Sequence, residues 1–466
     1  MTKNNASIKG KFLIEGTLSL LSPLIIGTGE KQDLDIVVIK DKDGNPYIPS
    51  TSLTGVLRHY FYERLLLAED DRNQFDFFWG SPKNSSFLSD SCYQSAFIIE
   101  DLIATNTPFV TFRDGVCISP YTGTARDEMK FDYEVVEPET DFEFKAQVTL
   151  RESFCRHTFL KIIATIIKIL TESKVSLGAM TTKGFGECYL KNYAIYEYNF
   201  TKKRDVFAWL KREITDEQKI ALPFNETFPE TDKNLSLEAV FKIKNSLIVK
   251  SYSGNPKNPD AVHIKSKGKN IIPGASIKGA LRSRAVKIIN TMGGAGEEMT
   301  KKLFGWAPSK PDGKEEKIKS RFLVKETYID NTIEEIQFRT RIDRFTGGVI
   351  NSALFDTQPL WPQKKKDEQV KINIEIRNYK DWEVGLTLLL LKDLWNGDLP
   401  LGGDKSIGRG VLQGLRARIN MGKKKSFEIH HNIENKQQPL KINNQDDLEI
   451  FVQSFLKECQ QGVNNN

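Results

Sequence analysis

Apolar and polar residues follow two alternating schemes along the chain, and the schemes recur in the same order twice. From Lys11 to Leu21 the apolar side chains Phe12, Ile14, Leu18 and Leu20 fall on alternate positions, the period of a half-buried strand. Leu53, Val56, Leu57, Phe61 and Leu65 are spaced for one face of a helix that runs to about Leu67. Strands are expected over Ile36–Ile39, Ser95–Asp101, Asp141–Leu150 and Gly186–Tyr198, and an apolar helix over His157–Leu170. The order β-α-β-β-α-β is that of the ferredoxin-like split unit. Residues 104–140 interrupt it with a polar stretch of no clear period, and insertions of that length are usually functional or mobile.

The second series begins with a strand over Leu235–Val249 and a helix from Gly274 to about Asn290. A strand at Phe322–Thr327, an insertion at 329–368 and a strand at Val370–Arg377 follow, then a helix at Trp382–Leu394 and a strand at Gly410–Ile419. Ile48-Pro-Ser-Thr-Ser-Leu-Thr-Gly-Val-Leu-Arg58 and Ile272-Pro-Gly-Ala-Ser-Ile-Lys-Gly-Ala-Leu-Arg282 share one pattern, 224 residues apart. Thr122-Gly123 and Thr346-Gly347, Phe131-Asp132 and Phe355-Asp356, and Leu177-Gly178 and Leu401-Gly402 keep the same offset. Trp79-Gly80 and Phe304-Gly305 slip from it by one residue. A register held over so much chain marks a tandem duplication. The expected domains are 1–199 and 235–419, with a charged, proline-spaced linker at 200–234 that carries a helix around Trp209. Residues 420–466 form a polar tail with a short helix at Leu448–Leu456 and no assigned function.

Composition changes this picture little. The net charge of +6 is modest, but Ala261–Arg321 holds 14 Lys and Arg against 5 Asp and Glu, a local excess that suits a polyanion. Cys92, Cys117, Cys155, Cys188 and Cys459 are scattered, which argues against a zinc site or a disulfide framework. With no leader-like or membrane-length apolar run, a cytoplasmic location and no membrane partner are expected.

The candidate chemistry lies in the repeated motifs. Ser52 and Ser276 stand at the start of the motif helices, where free amides and the helix dipole attract anions. Arg58, Lys278 and Arg282 follow about a turn later and suit phosphodiesters. A capped helix is the plain alternative. Lys183, Gly184 and Gly186 in one repeat, and Lys405, Gly408, Arg409 and Gly410 in the other, make glycine loops that let amides approach phosphates. Because a strand follows each loop, a dinucleotide fingerprint is excluded, while a tight turn is an equal alternative. Arg344, beside Thr346-Gly347 in the second insertion, joins the RNA-binding candidates.

These motifs in combination resemble the RAMP superfamily, and within it the backbone subunits of type III CRISPR effector complexes. The resemblance rests on Gly27-Thr28-Gly29, Asp35–Lys40, Tyr47–Gly55, Trp79-Gly80 and Gly184–Gly186, and on Asp260–Lys265, Ile271–Gly279, Leu303–Gly305 and Gly408–Gly410. It covers about residues 10–198 and 235–419, and two units in one chain are similar to the fusions of type III-D. It implies an α+β fold of two tandem ferredoxin-like (RRM-like) domains, each a palm with a long hairpin, the thumb, formed by the insertion. It also implies binding of guide crRNA, pairing with target RNA, contact with other CRISPR effector subunits, and target cleavage at intervals where a nucleotide is displaced. The cleaving Asp maps onto Asp35 and Asp260, with Asp33 the neighbouring candidate, and the cofactor is a divalent metal, magnesium. A carboxylate beside a flipped nucleotide binds such an ion or takes the 2′-hydroxyl proton. A non-cleaving RNA-binding scaffold and a guide-precursor processing endoribonuclease are the competing readings. The insertions are expected to be ordered by RNA or neighbouring subunits.

Overall fold

Each repeat builds a four-stranded antiparallel sheet with its two long helices packed on it, as a computed structural model of the chain shows. The structure describes residues 7–29, 34–80, 94–231, 233–252, 259–308, 317–364, 366, 369–422, 425–431 and 440–461. The chain divides into two compact units. The first comprises Met1–Phe112, Tyr133–Thr181 and Phe185–Thr231, and the second Arg113–Asp132, Thr182–Gly184 and Asp232–Asn466.

In the first repeat the elements run β1 (Ile8–Leu20), α1 (Ser50–Arg64), α2 (Glu69–Trp79) and β2 (Phe97–Ile99). The hairpin strands β3 (Val110–Ile118) and β4 (Ala125–Val136) follow, then β5 (Asp141–Arg151), α3 (Arg156–Thr171) and β6 (Cys188–Asn199). The sheet order is β2-β5-β1-β6, every pair antiparallel. That is the ferredoxin-like order the apolar periods predict. Alternation explains it residue by residue: Phe12, Ile14 and Leu18 point inward with Phe142, Phe144, Ala146 and Val148, against Leu53, Leu57 and Phe61 of α1. The expected strand at Ile36–Ile39 is instead a series of single bridges, Ile36 to Tyr133 and Val38 to Gly27 among them. Residues 200–231, expected as a linker, pack into this unit. Helix α4 (Lys203–Lys211) sets Trp209 edge-on to Tyr198, 5.2 Å between ring centres, and Phe228 is buried against Phe61 and Phe75.

The second unit repeats the plan with β7 (Asn234–Ile243), α5 (Gly274–Thr291), α6 (Gly296–Phe304) and β8 (Phe322–Val324). Its hairpin is β9 (Gln337–Ile342) and β10 (Val349–Gln358), before β11 (Val370–Arg377), α7 (Asp381–Asn396) and β12 (Leu412–Met421). The sheet order is β8-β11-β7-β12, and it continues through β13 (Lys425–His431) and β14 (Leu440–Ile442). Helix α8 (Gln445–Gln461) lies on α7 and buries Leu448, Phe451, Phe455 and Cys459 in the core. Much of the expected polar tail is therefore a structural part of this unit, because its few apolar residues share one helical face. Among the described residues no helix is long and apolar enough to cross a membrane.

Candidate nucleic-acid interface

The motif helices start where the sequence places them, but not on serine. Pro49 and Pro273 precede the first helical residue, and neither helix has a side-chain cap from these positions. Ser52 and Ser276 sit in the first turn, half-buried, with their amides bonded to the proline carbonyls. The role of N-cap expected of these serines passes to the prolines, whose fixed φ near −58° turns the chain into the helix. In the first unit the Asp101 carboxylate accepts from Ser50 N–H at 2.7 Å. One of the free amides is thus met by a protein carboxylate. Arg58 is half-buried and donates to Gly80 O at 3.3 Å. Gly80 and Gly305 end α2 and α6 with φ near +84° and +85°, which accounts for the paired Trp-Gly and Phe-Gly signals.

In the second unit α5 gathers positive charge. Lys278 is buried and its Nζ donates to Thr182 Oγ1 at 2.9 Å and Ser320 Oγ at 2.7 Å. Burial, then the like charges of Lys183 and Arg282, lower its pKa to about 7. Burial also lowers the pKa of Lys183. Arg282 is lowered mainly by burial, while Glu297 opposes the shift and Arg126 adds to it. Four cations from α5, the first hairpin and the first glycine loop thus belong to one unit, and like charges held at low hydration favour an anion among them. Lys183 and Arg282 are only half-buried, and Arg126 is exposed.

The glycine loops divide in role. Gly186 and Gly410 have φ of +76° and +79°, and a Cβ on either would lie 1.8 Å from a carbonyl, Leu177 O or Leu401 O. Both are demanded by the chain's own turn, the alternative to phosphate approach. Gly184 lies against Glu326 N, where a Cβ would be 2.4 Å away. Of the four, Gly408 faces the most open space, with Asn245 Nδ2 3.7 Å from a Cβ placed there. Arg409, expected on the RNA, is buried. It donates to Gln337 Oε1 at 2.6 Å and to Thr357 Oγ1 and Asp404 Oδ2 at 3.2 Å, which fixes the loop to the hairpin. Lys405 and Arg344 are exposed.

The candidate carboxylates stand at corresponding places. Asp35 is exposed and precedes Ile36, which pairs in parallel with Tyr133. Asp260 is exposed and precedes Ala261, which pairs in parallel with Thr357. Asp260 is also clasped: Asp356 N–H donates to its Oδ2 at 3.2 Å, and its own N–H donates to Asp356 Oδ1 at 2.8 Å. His263 anchors the same strand, its Nδ1 accepting from Val249 N–H and its Nε2 donating to Ile271 O. Burial lowers its pKa to about 4. Asp33 lies outside the described residues. Among the described residues no three His, Cys, Asp or Glu side chains form a metal cage. A hard cation held by one or two carboxylates and by RNA phosphates needs no such cage, and Asp260 with Asp356 fits that donor set. Sequence reasoning missed Asp356 as a partner of Asp260, although Phe131-Asp132 and Phe355-Asp356 were paired by the repeat.

Comparison with known families agrees with the two-repeat fold. The model of the RAMP superfamily matches residues 17–189 and again residues 240–413. A search of curated proteins found no match.

Proposed function

The chain belongs to the RAMP superfamily, and from that premise we propose that it is a backbone subunit of a type III CRISPR effector complex that holds guide crRNA and cuts the paired target RNA. Membership of the superfamily points to a CRISPR-associated RNA-binding subunit, and the superfamily includes endoribonucleases. The observation that carries the reading is the cation cluster of Lys278, Lys183, Arg282 and Arg126, brought into one unit by α5, the first hairpin and the first glycine loop, where burial first and then the like charges of Lys183 and Arg282 depress the Lys278 ammonium. A polyanion relieves that repulsion. Its sequence would be read by base pairing, while the protein holds backbone and shape. Lys405, Arg344 and Arg58 would add further phosphate contacts, other effector subunits would flank the chain, and the assembly would work in the cytoplasm.

For cleavage, Asp35 and Asp260 would each serve one displaced nucleotide. Asp356 N–H would keep the Asp260 carboxylate aimed. A divalent ion such as magnesium, when bound at Asp260, Asp356 and RNA phosphates, would supply Lewis-acid stabilisation of the developing charge. Asp260 or Asp35 would receive or direct the proton leaving the 2′-hydroxyl. The clasp between Asp260 and Asp356 also favours a second reading, a scaffold in which that aspartate only shapes the loop. Mapped target RNA incubated with complexes carrying Asp35→Ala or Asp260→Ala decides between them. Each substitution is expected to remove one cut and spare guide binding. An unchanged fragment pattern in both removes these residues from catalysis.

A further inference from the structure

The two aspartate-bearing segments lie on their hairpin strands in one register, yet different residues hold them. Ile36 pairs in parallel with Tyr133 of β4, and Ala261 with Thr357 of β10. Tyr133 and Thr357 are 224 residues apart. In the second repeat the residue before Thr357 does the holding, since Asp356 Oδ1 accepts from Asp260 N–H at 2.8 Å. Its counterpart before Tyr133 is Asp132, which is engaged within its own hairpin. There its carboxyl shares a hydrogen bond with Asp114 and lies 3.7 Å from Lys130 Nζ.

Glu134 stands two residues beyond Asp132, on the same face of β4. Its side chain is buried. Oε2 accepts from Val38 N–H and Oε1 from Lys40 Nζ, each at 3.0 Å, and Glu134 N–H donates to Ile36 O at 3.0 Å. One residue thus fixes Ile36, Val38 and Lys40, the stretch that follows Asp35. Strand pairing alone needs only the backbone bond. A carboxylate is costly to bury unless it is bonded and paired, and the Val38 amide and the Lys40 ammonium together offset that cost.

The second repeat keeps these parts and changes their source. Val38 and Lys40 correspond to His263 and Lys265, the offset of 225 that relates Asp35 to Asp260, while Glu134 corresponds to Gln358. Gln358 is neutral, and the lysine passes to Glu334, whose Oε1 lies 2.7 Å from Lys265 Nζ and whose Oε2 accepts from Gln358 Nε2 at 3.1 Å. His263 ties its own segment to Val249 N–H and Ile271 O. An acid–lysine pair therefore stands beside both aspartate segments, although the acid comes from different places in the two repeats. A demand on where the aspartate points would retain such a pair.

We propose that Glu134 is the positioning residue of the first repeat: through Val38 and Lys40 it sets the segment so that Asp35 meets the displaced nucleotide of the target. The proposal rests on the reading of Asp35 as a cleaving carboxylate, and the experiment separates the two. Glu134 touches no reacting atom, so its loss slows the step and leaves target binding alone.

The assembled complex is given saturating target RNA, and the two cuts are timed separately on mapped fragments. Glu134→Ala is expected to slow the cut assigned to Asp35 on the order of thirtyfold, as a small misplacement of a reacting group does. The other cut and the half-saturating target concentration stay unchanged. Glu134→Gln keeps an oxygen for Val38 N–H and is expected to recover most of the rate. Hydrogen exchange is expected to show the Val38 amide unprotected in the alanine variant and protected in the glutamine variant. Lys40→Met, made at an exposed side chain, serves where Glu134→Ala does not assemble, and is expected to slow the same cut severalfold. Equal slowing of both cuts, or an unchanged first cut in these loss variants, overturns the proposal. Asp35→Ala is run alongside. If it spares the first cut, the cleavage reading fails and the positioning role falls with it. If it removes that cut while Glu134→Ala leaves the rate intact, the positioning role alone fails.

Discussion

Lys278 places an ammonium group inside the second unit, in the field of Lys183 and Arg282, with the Thr182 and Ser320 hydroxyls and the Thr182 carbonyl as its hydrogen-bond partners. Its pKa falls from 10.5 to about 7 on folding, so the unfolded chain holds the proton more tightly. Between those two values stability rises with pH, and below about 7 the cost of the buried charge is fully present. Denaturant unfolding from pH 6 to pH 9 is expected to show this rise, and Lys278→Met to remove it. RNA binding has the opposite sign. A phosphate nearby raises the pKa, so binding takes up a proton above pH 7, and affinity falls as pH rises. A guide-RNA titration across the same range that shows no proton uptake would remove Lys278 from the RNA field. Arg282→Ala is expected to weaken binding similarly for unrelated guide sequences and to lower the salt slope by about one.

Elements are joined by features that one side chain can break. The buried Arg113–Glu326 pair ties the first hairpin to the second unit. Arg113→Ala leaves Glu326 without that partner in the interior and is expected to cost about 3–5 kcal/mol in equilibrium unfolding, whereas replacing both by leucine restores most of the loss. Gly274→Ala sets a methyl 2.2 Å from Lys183 O and 2.5 Å from Val324 O. Backbone must shift to admit it, at roughly 1–3 kcal/mol. The same test at Gly279, which has no atom within 4 Å of a Cβ, is expected to be harmless or stabilising, since alanine is the better helix former.

At the scale of the whole molecule the duplication is uneven. The sheet of the second unit runs on through β13 and β14, and α8 covers α7. Ending the chain after Met421 would strip Phe451 and Phe455 from the core and expose the apolar face of α7. Such a truncation is expected to aggregate or to lower the melting temperature of the second unit by many degrees, with the first unit's transition kept. Two separate transitions in calorimetry of the full chain, one of them lost or shifted on truncation, would be the signature.

The sequence by itself determined the duplication, the ferredoxin-like order and the apolar faces of the sheets and long helices, because those rest on local periods that burial on one side imposes. β11 and the helices α1, α3, α5 and α7 lie within a few residues of the ranges their apolar patterns predict. The insertions showed no period because strands such as β9 and β10 are largely exposed on both faces, so nothing forces alternation. Short helix α6 was hidden because glycine and threonine supply part of its buried face, leaving Met299, Leu303 and Phe304 as its apolar signal, although the glycines that end α2 and α6 were visible. Only the tertiary structure decided which charges are buried. Arg409 and Lys278 look like surface cations in a linear string, and it is the approach of residues distant in sequence, Gln337 and Thr357 to one and Thr182 and Ser320 to the other, that takes them from water. It also decided that Asp260 has a second carboxylate at its side and that residues 113–132 belong to the second unit, since sequence spacing carries no record of what folds back against what.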